Sequence, residues 1–193
     1  MSSDSSDVPV SRLPDLLERI GRLLRGARHR VELLNPAQWE ALRYLGRANR
    51  YSRTPTALTR YLGSTKGTVS QTVIALERKG LVRRSDDPRD RRGVRLGLTA
   101  RGRANLQRDP MVDLLEGIDP ALLSRLEADL SELLVHLQRG NQRRPFGLCG
   151  TCRFFRRDGA GDDPNGPHRC GLTLEPLSHL ESEQICAEHE LPS

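Results

Sequence analysis

The chain has 193 residues, enough for one domain with an appendage, and its 36% hydrophobic content is lean for a helical fold. A small helical protein of this kind often completes its core by dimerising. The formal net charge of +6 favours an acidic polymer as partner, and nucleic acid is preferred over a membrane because no apolar run is long enough to span a bilayer.

The N-terminal half predicts a short tail and two helices. Residues 1–10 are rich in serine and aspartate and lack the basic and apolar segments of a secretion signal, so we expect a disordered tail and a cytoplasmic location. Apolar residues at three-and-four spacing predict a long helix from Leu13 to Leu34. Asn35 and Pro36 predict the start of a second helix through Ala48, with Trp39, Leu42 and Leu45 on its inner face.

The stretch 54–80 predicts two helices joined by a tight glycine turn. Thr54 and Pro55 begin a short helix that stops at Gly63, and a helix capped by Ser64 or Thr65 then continues through residue 79. Its apolar residues recur at helical spacing and face the core, which leaves polar side chains on the opposite face. This arrangement is typical of a helix-turn-helix, in which the second helix contacts DNA.

A basic hairpin is predicted directly after these helices. The segments LVRRS and VRLGL alternate like two strands, joined by DDPRDRRG. From residue 83 to residue 103 there are eight arginines and three aspartates, so +5 of the total charge of +6 is concentrated here. A hairpin with a basic tip after a helix-turn-helix is a wing, and its positive field suits phosphate binding.

The helices after the wing lead to a change in composition. Thr99 caps a helix over TARGRANLQ, a short helical segment follows at 111–116, and Asp119 with Pro120 begins a second long amphipathic helix. The stripe of this last helix consists of Leu122, Leu123, Leu126, Leu130, Leu133, Leu134 and Leu137. Residues 140–147, rich in glycine and polar residues, are predicted to be a linker.

The segments AQWEALRYL, TVSQTVIALERKGLV and DPRDRRGVRLGLTARG, in this order, resemble the MarR family of winged helix-turn-helix transcriptional regulators. The resemblance covers roughly residues 11–139. It implies a mainly α fold with a small β-hairpin wing that dimerises through its N- and C-terminal helices. It also implies a protein that is not an enzyme and acts as a homodimeric regulator, a repressor in our interpretation, on double-stranded DNA with a pseudo-palindromic operator.

The resemblance places DNA contacts on the second helix of the helix-turn-helix and on the wing. Side chains of the Ser and Gln type can read base edges, whereas Lys66 is expected at a phosphate. Arg89 and Arg91 at the wing tip are expected along the minor groove. The full set of candidate residues is Thr65, Lys66, Thr68, Ser70, Gln71, Arg84, Arg89 and Arg91.

All four cysteines lie in the segment 148–193, beyond the part that resembles the family. Cys149 and Cys152 form a CxxC pair, and Cys170 and Cys186 follow singly. Two thiolates from one turn and two later ones can complete a tetrahedral metal site. The segment is too small and too rich in Gly and Pro to build a core unaided, so we expect a metal to stabilise it.

Zinc and a 4Fe–4S cluster compete for this site. Zinc ribbons usually carry two CxxC pairs and this segment has one, while its apolar residues can exclude water from a cluster. His168 or His189 can substitute for one thiolate in a zinc site. We favour the cluster, which predicts a response to redox state, oxygen or iron, with the effector itself left open.

The alternative to a regulator is a metal- or cluster-dependent oxidoreductase or a nuclease that holds nucleic acid on its basic surface. The sequence contains no G-x-x-x-x-G-K-[ST], no H-E-x-x-H and no nucleophile elbow. Four cysteines that all bind metal also leave no free nucleophile. A DNA-binding adaptor whose C-terminal segment docks another protein is a third reading.

Overall fold

The described part of the chain comprises residues 12–28, 34–87, 90–140 and 146–192 in a computed structural model. The predicted tail at 1–10 lies outside these ranges. Up to residue 140 the elements are α1 (Leu13–Arg28), α2 (Pro36–Arg47), α3 (Pro55–Leu62), α4 (Lys66–Arg78), β1 (Val82–Asp87), β2 (Asp90–Leu98), α5 (Ala100–Leu106), α6 (Pro110–Asp113) and α7 (Pro120–Gly140). This order confirms the mainly α fold with a β-hairpin wing.

Side-chain caps fix where α2 and α3 begin. The side-chain oxygen of Asn35 accepts a hydrogen bond from the backbone N–H of Gln38 at 2.9 Å, and that of Thr54 accepts from Ala57 at 3.1 Å. Gly63 ends α3 in the left-handed conformation, with a φ of 58°, which glycine adopts without steric cost. These local signals explain why the predicted starts of α2 and α3 agree with the structure.

The described part of the first helix ends at Arg28, residues 29–33 lie outside the described ranges, and Leu34, its predicted last residue, is not helical. Leu34 is only 7% exposed, because it packs into the core beside α2 instead of continuing α1.

One apolar core lies between α2, α3, α4 and the base of the hairpin. Trp39 is 2% exposed, which confirms that it is a core residue. The core also includes Ile185 and Ala187 from the C-terminal segment. The other fully buried large side chains here are Leu42, Tyr44, Leu45, Leu58, Val69, Val73, Leu76 and Leu96.

The strands of the wing extend further than the sequence pattern indicated. β1 and β2 pair antiparallel from Val82 opposite Leu98 to Asp87 opposite Asp90, with a register shift after Asp86. The predicted connection DDPRDRRG is therefore largely strand. An ion pair of 2.9 Å between Arg95 and Asp87 crosses the two strands and helps to carry the pairing outward.

Helices α1 and α7 carry apolar stripes that are exposed in the single chain. Exposed fractions range from 37% to 73% for Leu13, Leu16, Leu17, Ile20 and Leu23 of α1, and from 37% to 54% for Leu122, Leu126, Leu130, Leu134 and Leu137 of α7. Within the described ranges, no helix combines the length and apolar character needed to cross a membrane. Contiguous exposed stripes of this kind are typical of an interface.

Residues 146–192 form a small unit of short strands, which we call the four-cysteine module. Its elements are β3 (Gly147–Leu148), a 3-10 turn (Cys149–Thr151), β4 (Phe155–Arg156), β5 (His168–Cys170), β6 (Pro176–Leu177), α8 (His179–Ser182) and β7 (Ile185–Cys186). β3 pairs with β7, and β4, β5 and β6 form an antiparallel sheet.

The predicted linker at 140–147 differs from the structure at both ends. Gly140 closes α7, residues 141–145 lie outside the described ranges, and Gly147 already pairs with Cys186. Phe146 contacts Tyr44 and Tyr61 edge-on, with ring centroids 6.1 and 5.3 Å apart, which anchors the start of the module on α2 and α3.

Candidate nucleic-acid interface and metal centre

Helix α4 presents one polar face to solvent. Val69, Val73 and Leu76 are buried against the core, so their helical spacing turns Ser70 and Gln71 outward. The exposed residues near its start are the five predicted candidates Thr65, Lys66, Thr68, Ser70 and Gln71. The structure therefore brings these five side chains together on one accessible surface.

The start of α4 is rigidly built. The Thr65 hydroxyl accepts a hydrogen bond from the backbone N–H of Thr68 at 3.2 Å and lies 2.9 Å from the Thr68 hydroxyl. This cap fixes the direction in which the helix leaves the turn. It also ties up two of the candidate hydroxyls in the free protein, which leaves Ser70 and Gln71 as the better placed polar side chains for base edges.

A cleft of about 230 Å³ separates α4 from the wing and from the start of α3. Its lining includes the candidates Lys66, Ser70 and Arg84. Pro55, Thr56, Thr59 and Val94 also line it and were not among the predicted site residues. Helical periodicity alone could not have identified them, because which residues of the short helix α3 face α4 and the wing depends on how these elements pack together.

The structure describes the arginines of the wing to different extents. Arg84 forms an ion pair of 3.1 Å with Glu77 of α4, and both side chains are partly exposed. Arg89 lies outside the described residues, and the backbone of Arg91 is in β2 while its side chain is not described. Arg95 is tied to Asp87. The phosphate contacts expected from Arg89 and Arg91 stay predictions.

All four cysteines line one small cavity in the four-cysteine module. The free volume is about 20 Å³, and the remaining lining residues are Phe154, Phe155, Leu172, Leu177 and Glu188. Four thiols thus share one largely apolar site, as the spacing of the cysteines predicted. Among the residues that the structure describes, no group of three or more His, Cys, Asp or Glu side chains is arranged to hold a metal ion as it stands.

Two of the thiols interact directly. A hydrogen bond from Cys149 lowers the pKa of Cys186 to about 6, and the backbone N–H of Glu188 acts in the same direction. The same hydrogen bond, together with burial, raises the pKa of Cys149. A thiol whose pKa is lowered, in an otherwise apolar cavity, is a ready ligand for a soft metal.

The two predicted histidines lie outside the lining of the cavity. The Nε2 atom of His168 lies 3.0 Å from Nδ1 of His179, and its Nδ1 accepts a hydrogen bond from the backbone N–H of Asp158 at 3.1 Å. His189 is hydrogen-bonded through Nε2 to the Thr151 hydroxyl at 3.0 Å, and burial lowers its pKa. Both rings therefore hold the module's loops together.

The module packs against the turn between α2 and α3, residues 48–54. Ile185 pairs with Ala48 as a parallel bridge, and the backbone N–H of Ala187 donates to the Ser52 hydroxyl at 2.8 Å. Arg50 is bound by the carboxylates of Glu175 and Glu181 and donates to the carbonyl oxygen of Pro176. The sequence offered no signal for this contact, because its partners are more than 100 residues apart.

Comparison with known proteins finds relatives for the N-terminal part of the chain. Residues 34–93 match the model of the MarR family, which ends before the four-cysteine module. Transcriptional regulator HosA of Escherichia coli O111:H- is 31% identical over 111 residues, 58% of this chain and 79% of HosA. HosA of E. coli O157:H7 is 32% identical over the same shares.

Solved structures share the fold. A MarR-family transcriptional regulator from Silicibacter pomeroyi aligns with a TM-score of 0.53 and 26% identity, over 64% of this chain and 88% of that one. CouR from Rhodococcus jostii RHA1, solved bound to p-coumaroyl-CoA, aligns with a TM-score of 0.53 and 22% identity, over 68% of this chain and 95% of CouR.

Proposed function

Since the chain belongs to the MarR family of transcriptional regulators, we propose that it represses transcription as a homodimer on a pseudo-palindromic operator, and that its four-cysteine module senses redox state, oxygen or iron. Members of this family are DNA-binding proteins rather than enzymes, so family membership answers the alternative of an oxidoreductase or nuclease. What goes beyond family membership, and is therefore proposed, is that the chain represses, that its operator is pseudo-palindromic and that the four-cysteine module is a sensor.

The exposed polar face of α4 carries the DNA-binding part of the proposal. In the proposed complex this helix enters the major groove, with Ser70 and Gln71 at base edges and Lys66 at a phosphate. The cleft beside it lies between α4, the wing and the start of α3, so this concave surface adjoins the polar face of α4. The wing arginines 89 and 91 then follow the adjacent minor groove.

The exposed stripes of α1 and α7 support a homodimer. A monomer would leave both stripes in water, at roughly 25 cal/mol for each Å² of apolar surface that a partner could cover. A two-fold pair covers the same surface on both copies and places two α4 helices side by side. The operator then has two half-sites in inverted orientation.

Four thiols around one apolar cavity support a thiolate-bound metal centre at Cys149, Cys152, Cys170 and Cys186. The residues fit such a centre, because thiolates bind soft metals and the aromatic side chains exclude water. The free volume is about 20 Å³, and the cysteine side chains must rotate to bind either a single ion or a larger cluster.

We favour a 4Fe–4S cluster over zinc because the shell is apolar and because a buried amide donates to one of the sulfurs. Asn49 Nδ2 lies 3.1 Å from Cys149 Sγ. Apolar burial and hydrogen bonds to sulfur are the levers by which proteins set the potential of a cluster. When bound, a cluster supplies a reversible one-electron couple or a site that oxygen destroys, and zinc supplies structural stability alone.

The test is anaerobic purification of the full chain, followed by metal and sulfide analysis, visible absorption and binding to its own upstream region. We expect bound iron and sulfide, charge-transfer absorption, and tighter binding to that region than to a shuffled duplex at about 0.15 M salt. Cys170→Ser should lose the centre, while Ser182→Ala in the same module should keep it.

The metal analysis and the DNA-binding measurement can each contradict their part of the proposal separately. Zinc without iron or sulfide would make the centre structural, and a colourless, metal-free protein would overturn the sensing role. Equal affinity for the upstream region and the shuffled duplex would overturn the proposed operator.

A further inference from the structure

Asn49 occupies the joint between the four-cysteine module and the DNA-binding unit. We infer that Asn49 couples the state of the metal centre at Cys149 to the position of the wing and of α3. This inference rests on the proposed function, since it names how that centre acts on operator binding. Asn49 would be a positioning residue, because it contacts a ligand of the centre and neither the metal nor the DNA.

The side chain of Asn49 is held at both ends. It is fully buried, its Nδ2 lies 3.1 Å from Cys149 Sγ, and its Oδ1 accepts a hydrogen bond from the backbone N–H of Ser52 at 2.9 Å. The Ser52 N–H requires an oxygen at that end, so the amide nitrogen faces the sulfur. Its backbone N–H donates to the carbonyl oxygen of Ile185 at 2.9 Å.

A short series of hydrogen bonds connects the turn that holds Asn49 to the wing and to α3. The carbonyl oxygen of Ser52 accepts from the Tyr44 hydroxyl at 2.6 Å, which anchors the turn to α2. The carbonyl oxygen of Arg53 accepts from the backbone N–H of Leu96 in β2 at 2.7 Å. Thr54 caps α3 directly afterwards. The path from the sulfur to the wing therefore crosses one side chain and one short turn.

The charge on the Cys149 sulfur decides how strongly Asn49 is held. A metal-bound thiolate accepts a charge-assisted hydrogen bond, which is about twice as strong as a neutral one. In a buried site this difference is not screened by water. Loss of the centre, or a change in its charge, therefore changes the restraint on the turn that carries Arg53 and Thr54. A ligand shifts a conformation only through such a differential contact.

The experiment compares the wild type with Asn49→Ala, each with its centre intact and after anaerobic chelation. For wild type, we expect operator affinity to differ between the two states by about 5- to 150-fold, the usual range of allosteric coupling. For Asn49→Ala with the centre bound, the ratio should fall below about twofold. Asn165→Ala is the control, because its amide bonds to Asp163 within the module and away from the turn.

A second measurement does not depend on DNA. The Leu96 amide should exchange its hydrogen more slowly in the wild type with the centre than without it, and this difference should disappear in Asn49→Ala. Asn49→Leu keeps the volume of the side chain and removes the donor to sulfur, so it should behave like Asn49→Ala. If the centre is a cluster, either variant should also lower its midpoint potential.

The outcomes separate the inference from the proposed function. A wild type that holds no centre, or whose operator affinity ignores it, contradicts the sensing role itself. A wild type that responds while Asn49→Ala responds equally contradicts the inference alone. Should the Asn49 variants fail to fold, unchanged Leu96 exchange between the two states of the wild type would still overturn it.

Discussion

Lys66 and Gln71 are both exposed in the first two turns of α4 but have different chemistry. A lysine offers a point charge that meets a phosphate of any sequence, whereas a glutamine amide can form a bidentate pair with adenine. We predict that Lys66→Ala weakens binding to operator and random DNA alike and lowers the salt dependence by nearly two in a homodimer, at about 0.9 per phosphate contact in each protomer. Titration at several salt concentrations measures both effects.

Gln71→Ala should leave the salt dependence unchanged and cost about 1–3 kcal/mol at operators that carry its preferred base, with little loss on random DNA. Both residues are exposed on the same helix, so each variant serves as a comparison for the other. Equal losses on operator and random DNA for Gln71→Ala would contradict its role in base recognition.

Single residues also mark what the sequence could predict. The spacing of the cysteines anticipated that they share one cavity, because a CxxC pair and two later thiols suit one site. Asn49 could not be found in this way, since its sulfur partner is 100 residues away and nothing local distinguishes it. Ser52 and Ala187 are 135 residues apart and are equally invisible to local pattern.

At the scale of elements, local chemistry predicted more than long-range packing. Helix starts at Asn35, Thr54 and Thr65 were predictable because a cap bonds within three residues of itself. The length of the wing was not predictable from the sequence. An aspartate-rich stretch such as DDPRD is typical of a turn, and the ion pair between Asp87 and Arg95 on the opposite strand is visible only in the structure. Tertiary packing also decided that Leu34 joins the core beside α2 rather than extending α1.

The apolar face of α1 gives a test of dimerisation. Ile20 is 50% exposed in the single chain, so covering the rest of it contributes about half of the 1.5–3 kcal/mol for full burial, and a glutamate there would also place a charge in the interface. A two-fold interface contains it twice, so Ile20→Glu should weaken the dimer by about 3 kcal/mol or more, over 100-fold in dissociation constant. Sedimentation equilibrium measures this change.

Glu18→Gln is the control for that variant. Glu18 lies two residues away on a different face of α1, and its pair with Arg22 is highly exposed and 3.8 Å long. Such pairs contribute little, so dimerisation should be unchanged. An Ile20→Glu protein that stays dimeric with normal operator affinity would place the interface elsewhere.

For the whole molecule, the four-cysteine module is part of the DNA-binding unit rather than a freely hanging tail. Ile185 and Ala187 belong to the same buried core as α2, and Arg60 of α3 is bound by Glu188 and by the carbonyl oxygen of Ala187. A change in the module therefore reaches α3 and the α2–α3 turn through direct contacts. These direct contacts support the proposed sensor role.

A rigid dimer also fixes the spacing of its operator. Two α4 helices held by a helical interface should engage half-sites about one helical turn apart, roughly 34 Å. Insertion of about five base pairs turns the second half-site to the opposite face of the duplex, so we predict a loss of about tenfold or more in affinity. Insertion of about ten base pairs restores the face but adds a full turn of distance, so binding should stay weak. Recovery at ten base pairs would show that the two DNA-binding units are flexibly linked and would contradict dimerisation through packed helices.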